Sequence, residues 1–222
     1  MRVQATSSKP LLFRVMRPAI VPGIPLVPKA LAGRLNFHQS MYYDDYLDVQ
    51  VPSFQGMSGQ SIRVEWVGRA ITWTSDPQPP PTPQLLTFQV PRLEVIDSIG
   101  HTVTIRAVVN DTIRSQAFAL IIEPQVLVLP EPQFHAQPNE ATDAVSLLYS
   151  GQQDRHTGRV RWHGSIIRDT DEEDLQEGRR EYFQINRSWI QENLGREVLI
   201  NYTARRPGDS QSWFSQVLRM NF

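Results

Sequence analysis

The sequence contains no cysteine among its 222 residues. This absence excludes disulfides, thiolate zinc sites and thiol nucleophiles together. It leaves both reducing and oxidising compartments open. It also means that a small domain in this chain has to rely on its packed core for stability.

Strong net charge is missing too, since 22 basic and 23 acidic residues give a formal charge of −1. No global positive field attracts nucleic acid, and we expect no nucleic-acid partner. The charge is uneven, however, because every charged residue before Asp44 is basic. We interpret this segment as a solvated basic arm, with contact to an anionic partner as the alternative.

Long apolar runs are absent as well. The stretch from Leu11 to Leu31 is interrupted by two arginines and four prolines. A signal peptide needs about 7–15 uninterrupted apolar residues, and a membrane helix needs roughly 18. The sequence therefore predicts no N-terminal signal peptide and no transmembrane segment.

Four short motifs recur in the same order, about 95–100 residues apart. The pairs are Trp66-Val67-Gly68 with Trp162-His163-Gly164, Phe88-Gln89 with Phe183-Gln184, Gly100 with Gly195, and Ser115-Gln116 with Ser215-Gln216. Such ordered matches indicate an internal duplication. We predict one unit over 22–123 and a second over 124–222, preceded by a basic, proline-interrupted arm at 1–21.

Apolar and polar residues alternate in short segments throughout both units. Ile62, Val64 and Trp66, for example, alternate with Arg63 and Glu65, which is the period of a half-buried strand. Helical patterns are confined to one turn after each Phe-Gln motif. The pattern predicts an all-β chain of two tandem immunoglobulin-like sandwiches with an N-terminal extended arm.

A buried tryptophan on the third strand is a mark of immunoglobulin-like sandwiches. We assign Trp66 and Trp162 to that place. No disulfide backs them, so apolar side chains have to fill the space between the sheets. The predicted core is Trp66, Trp162, Phe88, Phe183, Ile105 and Ile200.

The first unit contains Val-Pro-x-Phe-x-Gly-Met at 51–57, then Val-x-Trp-x-Gly at 64–68 and Phe-Gln-Val-Pro at 88–91. This order resembles tandem Ig-like repeats of large, mostly uncharacterised secreted or surface-associated proteins of pseudomonads and related bacteria. The second unit lacks the Val-Pro and Gly-Met elements. The resemblance implies a fold and no activity. It implies a bacterial protein. The lack of a predicted signal peptide is compatible with the cytoplasm, with export by a signal-independent route or with a piece cut from a longer protein.

No catalytic arrangement emerges from the sequence. There is no Gly-x-Ser-x-Gly motif, and the five histidines are not spaced as metal ligands. We expect no enzyme activity, no catalytic residue and no cofactor. Calcium is the one candidate ion, because hard cations take carboxylate ligands and acidic residues cluster at Asp169, Asp171, Glu173 and Asp174. The alternative is a solvated hairpin loop.

A candidate binding surface precedes the second strand of the first unit. Tyr42, Tyr43 and Tyr46 lie beside Asp44, and aromatic rings with carboxylates suit sugar binding. The alternative is a strand lead-in whose rings cover the core.

Three functions are compatible with this organisation. The first is a non-enzymatic binding or adhesion module, in which sandwich-end loops or the domain junction contact a protein or carbohydrate partner. The second is a structural assembly component whose arm at 1–21 docks on a neighbour's edge strand, giving a homo-oligomer. The third is a subunit of a bacterial toxin or effector.

Overall fold

A computed structural model describes residues 19–41, 44–79, 85–137, 140–150, 155–208 and 211–222. Most of the predicted arm, residues 1–18, lies outside this range, as do Tyr42 and Tyr43. Among the described residues the longest helix has six residues, and no helix is long and apolar enough to cross a membrane.

The first unit is built of eight strands and two short helices within the described range. They are β1 (Arg34–Leu35), α1 (Phe37–Ser40), β2 (Tyr46–Val51), β3 (Ile62–Val67), β4 (Thr72–Thr74), β5 (Leu86–Pro91), α2 (Arg92–Asp97), β6 (Thr102–Val109), β7 (Ile113–Arg114) and β8 (Phe118–Ile122). One sheet has the order β1-β8-β6-β3-β4, with β7 also on β6, and the other pairs β2 with β5. Leu26 extends the smaller sheet by bridging to Gln50.

The second unit repeats this arrangement. Its elements are β9 (Gln133–His135), β10 (Thr142–Leu148), β11 (His156–His163), β12 (Ile167–Asp169), β13 (Glu173–Leu175), β14 (Arg180–Asn186), α3 (Arg187–Gln191), β15 (Glu197–Arg205), β16 (Ser212–Phe214) and β17 (Leu218–Asn221). One sheet has the order β14-β10-β9. The other has the order β12-β11-β15-β16, with β13 on β11 and β17 on β15.

Both units have the pairing of an immunoglobulin-like sandwich. In the first unit, β3 pairs with β6 after the short helix α2, and β2 pairs with β5 before it. In the second unit, β11 pairs with β15 after α3, and β10 pairs with β14 before it. The register is also shared, because Trp66 lies opposite Ile105 and Trp162 lies opposite Ile200. The chain is therefore all-β, with two immunoglobulin-like sandwiches that share their strand pairing and register.

Four hydroxyl side chains hold equivalent corners of the two sandwiches. Each accepts a hydrogen bond from a strand N–H at 2.9–3.0 Å and donates one to the carbonyl of the next residue. The hydroxyl oxygen thus accepts the bond that a backbone carbonyl would accept in a regular sheet, at the point where the chain leaves the sheet. These residues are Ser75, Ser115, Thr170 and Ser215.

Each unit has a dense core between its two sheets. The predicted core side chains of both units, Trp66, Trp162, Phe88, Phe183, Ile105 and Ile200, are all at 0% exposure. The core of the first unit continues beyond its own sheets, because Leu199, Phe214 and Val217 of the second unit pack against it. The two sandwiches therefore share an apolar junction.

The repeated Trp-x-Gly glycine lies where the segment after the short helix packs on the sheet. A Cβ at Gly164 would overlap the side chain of Asn193, whereas one at Gly68 would meet Ser98 Oγ at 3.0 Å. Asn193 is fully buried and fixed, because it accepts from Ser165 N–H and donates to the Trp189 carbonyl. The glycine is thus a close-approach position in both units.

We predict that Trp66→Ala and Trp162→Ala each cost about 3–5 kcal/mol of stability, because each leaves a large cavity between well-packed sheets. Urea unfolding of the two single variants measures this cost. Trp73→Ala, at a half-buried tryptophan of β4, is the control and should cost less. Equal midpoints for the wild type and either core variant would contradict the core assignment.

We also predict that Gly164→Ala destabilises the second unit by roughly 1–3 kcal/mol, because Asn193 cannot move without losing both hydrogen bonds. Gly68→Ala should cost less, since Ser98 Oγ has to shift by only a few tenths of an ångström. Thermal melts of the two variants provide the comparison. A larger effect at Gly68 would refute this account.

Candidate functional site

The two units meet along one face of the larger sheet of the second unit. Successive residues of a strand point to opposite faces, so Val160, Trp162 and Ile200 enter the core. Their neighbours at 159, 161, 199, 201 and 203 point the other way, toward the first unit. The first unit covers this face with α1, α2 and the start of β2.

Aromatic and aliphatic side chains form the apolar part of the junction. The rings of Phe37 on α1 and Phe214 on β16 meet edge to face, with centroids 4.9 Å apart. Leu199 and Val217 of the second unit are buried against the same cluster. This contact fixes the two sandwiches against each other at one edge of the covered face.

Two buried carboxylates of α2 form the polar part of the junction. Glu94 accepts hydrogen bonds of 2.9 and 2.7 Å from both terminal nitrogens of Arg219 on β17. Asp97 accepts from Arg69 at 2.8 Å and from the Val217 N–H at 3.1 Å. Burial alone would lower the pKa of Arg219, but the bonds and charges of these acids raise it. Glu94 is therefore neutralised across the junction, whereas Asp97 has its nearest counter-ion, Arg69, in its own unit and accepts a backbone hydrogen bond from the other unit.

A pocket of about 330 Å³ opens beside this contact. The second unit supplies its floor from one face of β11, β15 and β16. The first unit supplies Asp45 and Arg92. The residues of the floor that carry polar or aromatic side chains include Thr157, Arg159, Arg161, Thr203, Arg205 and Phe214.

Three of the lining arginines have carboxylate partners, of which Arg159 has the most distant, the Asp169 carboxylate at 4.0 Å. Arg161 donates to both oxygens of Asp169 at 2.9 and 3.0 Å and to Asp45 at 3.3 Å. Arg205 lies 3.3 Å from both oxygens of Glu172. Burial alone would raise the pKa of Asp169, but the hydrogen bonds and charge of Arg161 lower it.

Arg92 is the exception. It is 9% exposed, and its guanidinium lies over the rings of Phe37 and Phe214 at 5.4 and 5.5 Å. The one hydrogen bond of its guanidinium within the described chain is a long one, 3.5 Å, to the Asp44 carbonyl, and its buried Nε has no partner there. Burial, together with the charge of Arg161, lowers the pKa of Arg92 to about 10, although the charges of Asp45 and Asp169 oppose this shift. Arg92 remains a cation at neutral pH, and it forms no ion pair with a carboxylate of the described residues.

Two histidines lie near the same junction. Burial lowers the pKa of His38, and burial with the charge of Arg161 lowers the pKa of His163. Both are therefore neutral at pH 7, and the positive charge of the pocket comes from arginine.

The candidate sugar-binding residues are only partly described. Tyr42 and Tyr43 lie outside the described residues. Tyr46 is 41% exposed on β2, and the carboxylate of Asp44 is ion-paired with Lys29 at 2.5 Å. Their neighbour Asp45 is the residue of this group that lines the pocket.

The candidate calcium ligands are not brought together. Within the described residues, no group of three acidic or histidine side chains is placed to hold a metal ion. Asp169 lies at the end of β12 and is bonded to Arg161, whereas Glu173 and Asp174 lie on β13, on opposite faces because they are consecutive strand residues. Asp171 lies between the two strands.

The pocket residues carry a weak sequence signal. Arg159 and Arg161 alternate with Val160 and Trp162, which reads as the solvent-facing side of a strand. Nothing in that pattern shows that another sandwich covers the face. The one cue is that two adjacent outward positions of a strand are both arginine.

Comparison with known proteins adds little. A scan against protein-family models finds no match, and a search of curated proteins finds no similar sequence. Solved structures with some similarity include a "Biofilm associated protein - BSP domain" (14% identity, TM-score 0.31, covering 90% of this chain). Another is a "Human OSCAR ligand-binding domain" (12% identity, TM-score 0.29, covering 91% of this chain and all of that one). The chain spans 30% of the length of the biofilm-associated structure, and at these TM-scores neither similarity carries an argument.

We predict that Arg219→Met destabilises the protein by about 3–5 kcal/mol, because it leaves the Glu94 carboxylate buried without its partner. Denaturant unfolding is the measurement. Arg196→Met, at an exposed arginine of the same unit, is the control. The double variant Arg219→Met/Glu94→Gln should cost less than the sum of the two single changes. Additive costs would show that the pair contributes nothing to the junction.

Proposed function

We propose that the chain is a non-enzymatic binding or adhesion module that holds a group of a protein or carbohydrate partner in the junction pocket. The observation that supports this is a concave site with walls from both units and one buried arginine, Arg92, whose Nε has no hydrogen-bond partner in the described residues. Sites for small ligands are concave, occur at domain interfaces and range from about 300 to 1,000 Å³. The volume of about 330 Å³ falls at the lower end of that range.

The lining favours binding over catalysis. Asp45 and Glu172 each accept hydrogen bonds from an arginine, whereas a general acid has to hold a proton at that position. The Thr157 hydroxyl donates to the Glu172 carboxylate, but Glu172 also accepts from Arg205, and this cation makes it a weak base for activating a hydroxyl nucleophile. The arrangement suits recognition of charge and hydroxyl groups.

Tandem immunoglobulin-like units suit a binding module, because each sandwich is a rigid support for residues at its surface. The likeness to bacterial Ig-like repeats and the three-part division at 21/22 and 123/124 stay predictions. Assembly through the arm at 1–21 also stays a prediction, since residues 1–18 lie outside the described chain, and a role as a toxin or effector subunit likewise stays a prediction.

A variant that fills the pocket without changing a charge tests this function. We predict that Thr203→Phe weakens partner binding by roughly tenfold or more, because the new ring occupies the floor of the pocket. A glycan array, followed by pull-down for protein partners, compares it with the wild type. Repeating the array with and without calcium also tests the candidate ion site at 169–174.

Thr87→Phe is the matched control, since Thr87 is exposed on β5 of the first unit, away from the pocket. Its binding should equal that of the wild type. A partner that binds the wild type and both variants equally would place the binding surface elsewhere. The absence of any bound glycan or protein would refute the binding function.

A further inference from the structure

We infer, on the basis of the proposed function, that the pocket binds the carboxylate of an acidic sugar unit, with Arg92 as the residue that anchors the acid group. The inference depends on a comparison between the two units of this chain. It also depends on the chemistry of the groups that surround Arg92.

The duplication provides an internal reference for Arg92. The Phe-Gln-x-x-Arg motif places Arg187 of the second unit at the position of Arg92. Arg187 has a counter-ion, since its Nε lies 3.6 Å from the buried carboxylate of Asp143. Asp143 lies opposite Ile185, as Leu47 of the first unit lies opposite Val90. The first unit therefore has leucine where the second has the acid that neutralises this arginine.

A cation without its counter-ion is costly to bury. The faces of Phe37 and Phe214 and the more distant charges of Asp45 and Asp169 partly compensate Arg92, but the charges of Arg161 and Arg159 oppose it. An anion in the pocket would supply the contacting counter-ion that Arg187 has and Arg92 lacks among the described residues. Burial strengthens such a contact, because the surrounding dielectric is low.

The other lining groups indicate what the anion is attached to. Asp45 and Glu172 are acceptors, and each is held by an arginine through bonds of about 3.3 Å, which leaves lone pairs for hydroxyl donors. The Thr157 hydroxyl donates to Glu172 and can still accept, and Thr203 adds a second hydroxyl to the lining. A ligand with one acid group and several hydroxyls matches this set, and a uronic acid has that composition.

The size of the site also favours a sugar over a protein surface. Stable protein interfaces bury roughly 800 Å² per partner and centre on Trp, Tyr and Arg side chains. The aromatic residue of this lining, Phe214, is 4% exposed because it is already packed in the junction. A small polar ligand therefore fits the pocket better than a protein surface does.

Calorimetric titration with a matched pair of disaccharides tests the inference. The acidic probe is α-1,4-linked digalacturonate, and the neutral probe is α-1,4-linked galactobiose, which has hydroxymethyl groups where the first has carboxylates. We expect the wild type to bind the acidic probe and not the neutral one. Arg92→Met should weaken binding by roughly 30-fold, because one partner of a buried charge pair is removed.

Arg187→Met is the matched control and should bind like the wild type, since Arg187 is the equivalent arginine outside the pocket. Arg159→Gln is the second variant in case Arg92→Met does not fold, because Arg159 is half exposed and its only ion pair in the described chain is 4.0 Å long. It should weaken binding roughly fivefold. A thermal melt of each variant checks folding.

Three outcomes would overturn the inference. They are equal binding of both disaccharides, equal loss in Arg187→Met and Arg92→Met, and equally tight binding of inorganic sulfate or triglutamate. The last would show a general anion site that does not recognise a sugar. If Thr203→Phe still abolishes capture of some other partner, the binding function stands although this ligand class is wrong.

Discussion

The arrangement of the molecule depends on the contact between the helical end of the first sandwich and the outer face of the second. Phe37 against Phe214 supplies the apolar part, and Glu94 with Arg219 supplies a buried, two-bonded ion pair. Without this contact the face of β11 and β15 would be an ordinary solvent-exposed sheet surface. The pocket exists because the contact covers only part of that face and leaves Arg161, Arg205 and Thr203 beside the first unit.

The fold could be predicted from the sequence because its signals are local. Alternation around Trp66 and Trp162 marks the third strand, and the repeat of Phe-Gln and Ser-Gln motifs carries the assignment from one unit to the other. The pocket could not be predicted in the same way, because its walls come from residues far apart in the chain, such as Asp45 and Arg161. The predicted binding surface at Tyr46 and Asp44 adjoins Asp45, which lines the pocket. That surface was predicted from the tyrosine rings and the Asp44 carboxylate, however, and not from Asp45.

The two units share a scaffold and differ at their surfaces. The hydroxyls of Ser75 and Thr170 make the same two hydrogen bonds in the two units. At outward positions the chemistry differs: where the second unit has Arg161 facing the junction, the first has Glu65, which is bonded to Arg114 on its own sheet. The residues that bond the sheet corners are therefore chemically similar in the two units. The residues that face outward differ, because their charge complements the surface that packs against them.

The pocket has walls on both sandwiches, and this has a mechanical consequence. A ligand held by Arg92 on one side and Arg161 on the other binds only while the two units remain docked. Its binding free energy then adds to the work needed to pull them apart, by about 2.7 kcal/mol when its concentration is 100 times Kd. Under tension along the chain, the two units would therefore separate at a higher force when the pocket is occupied than when it is empty.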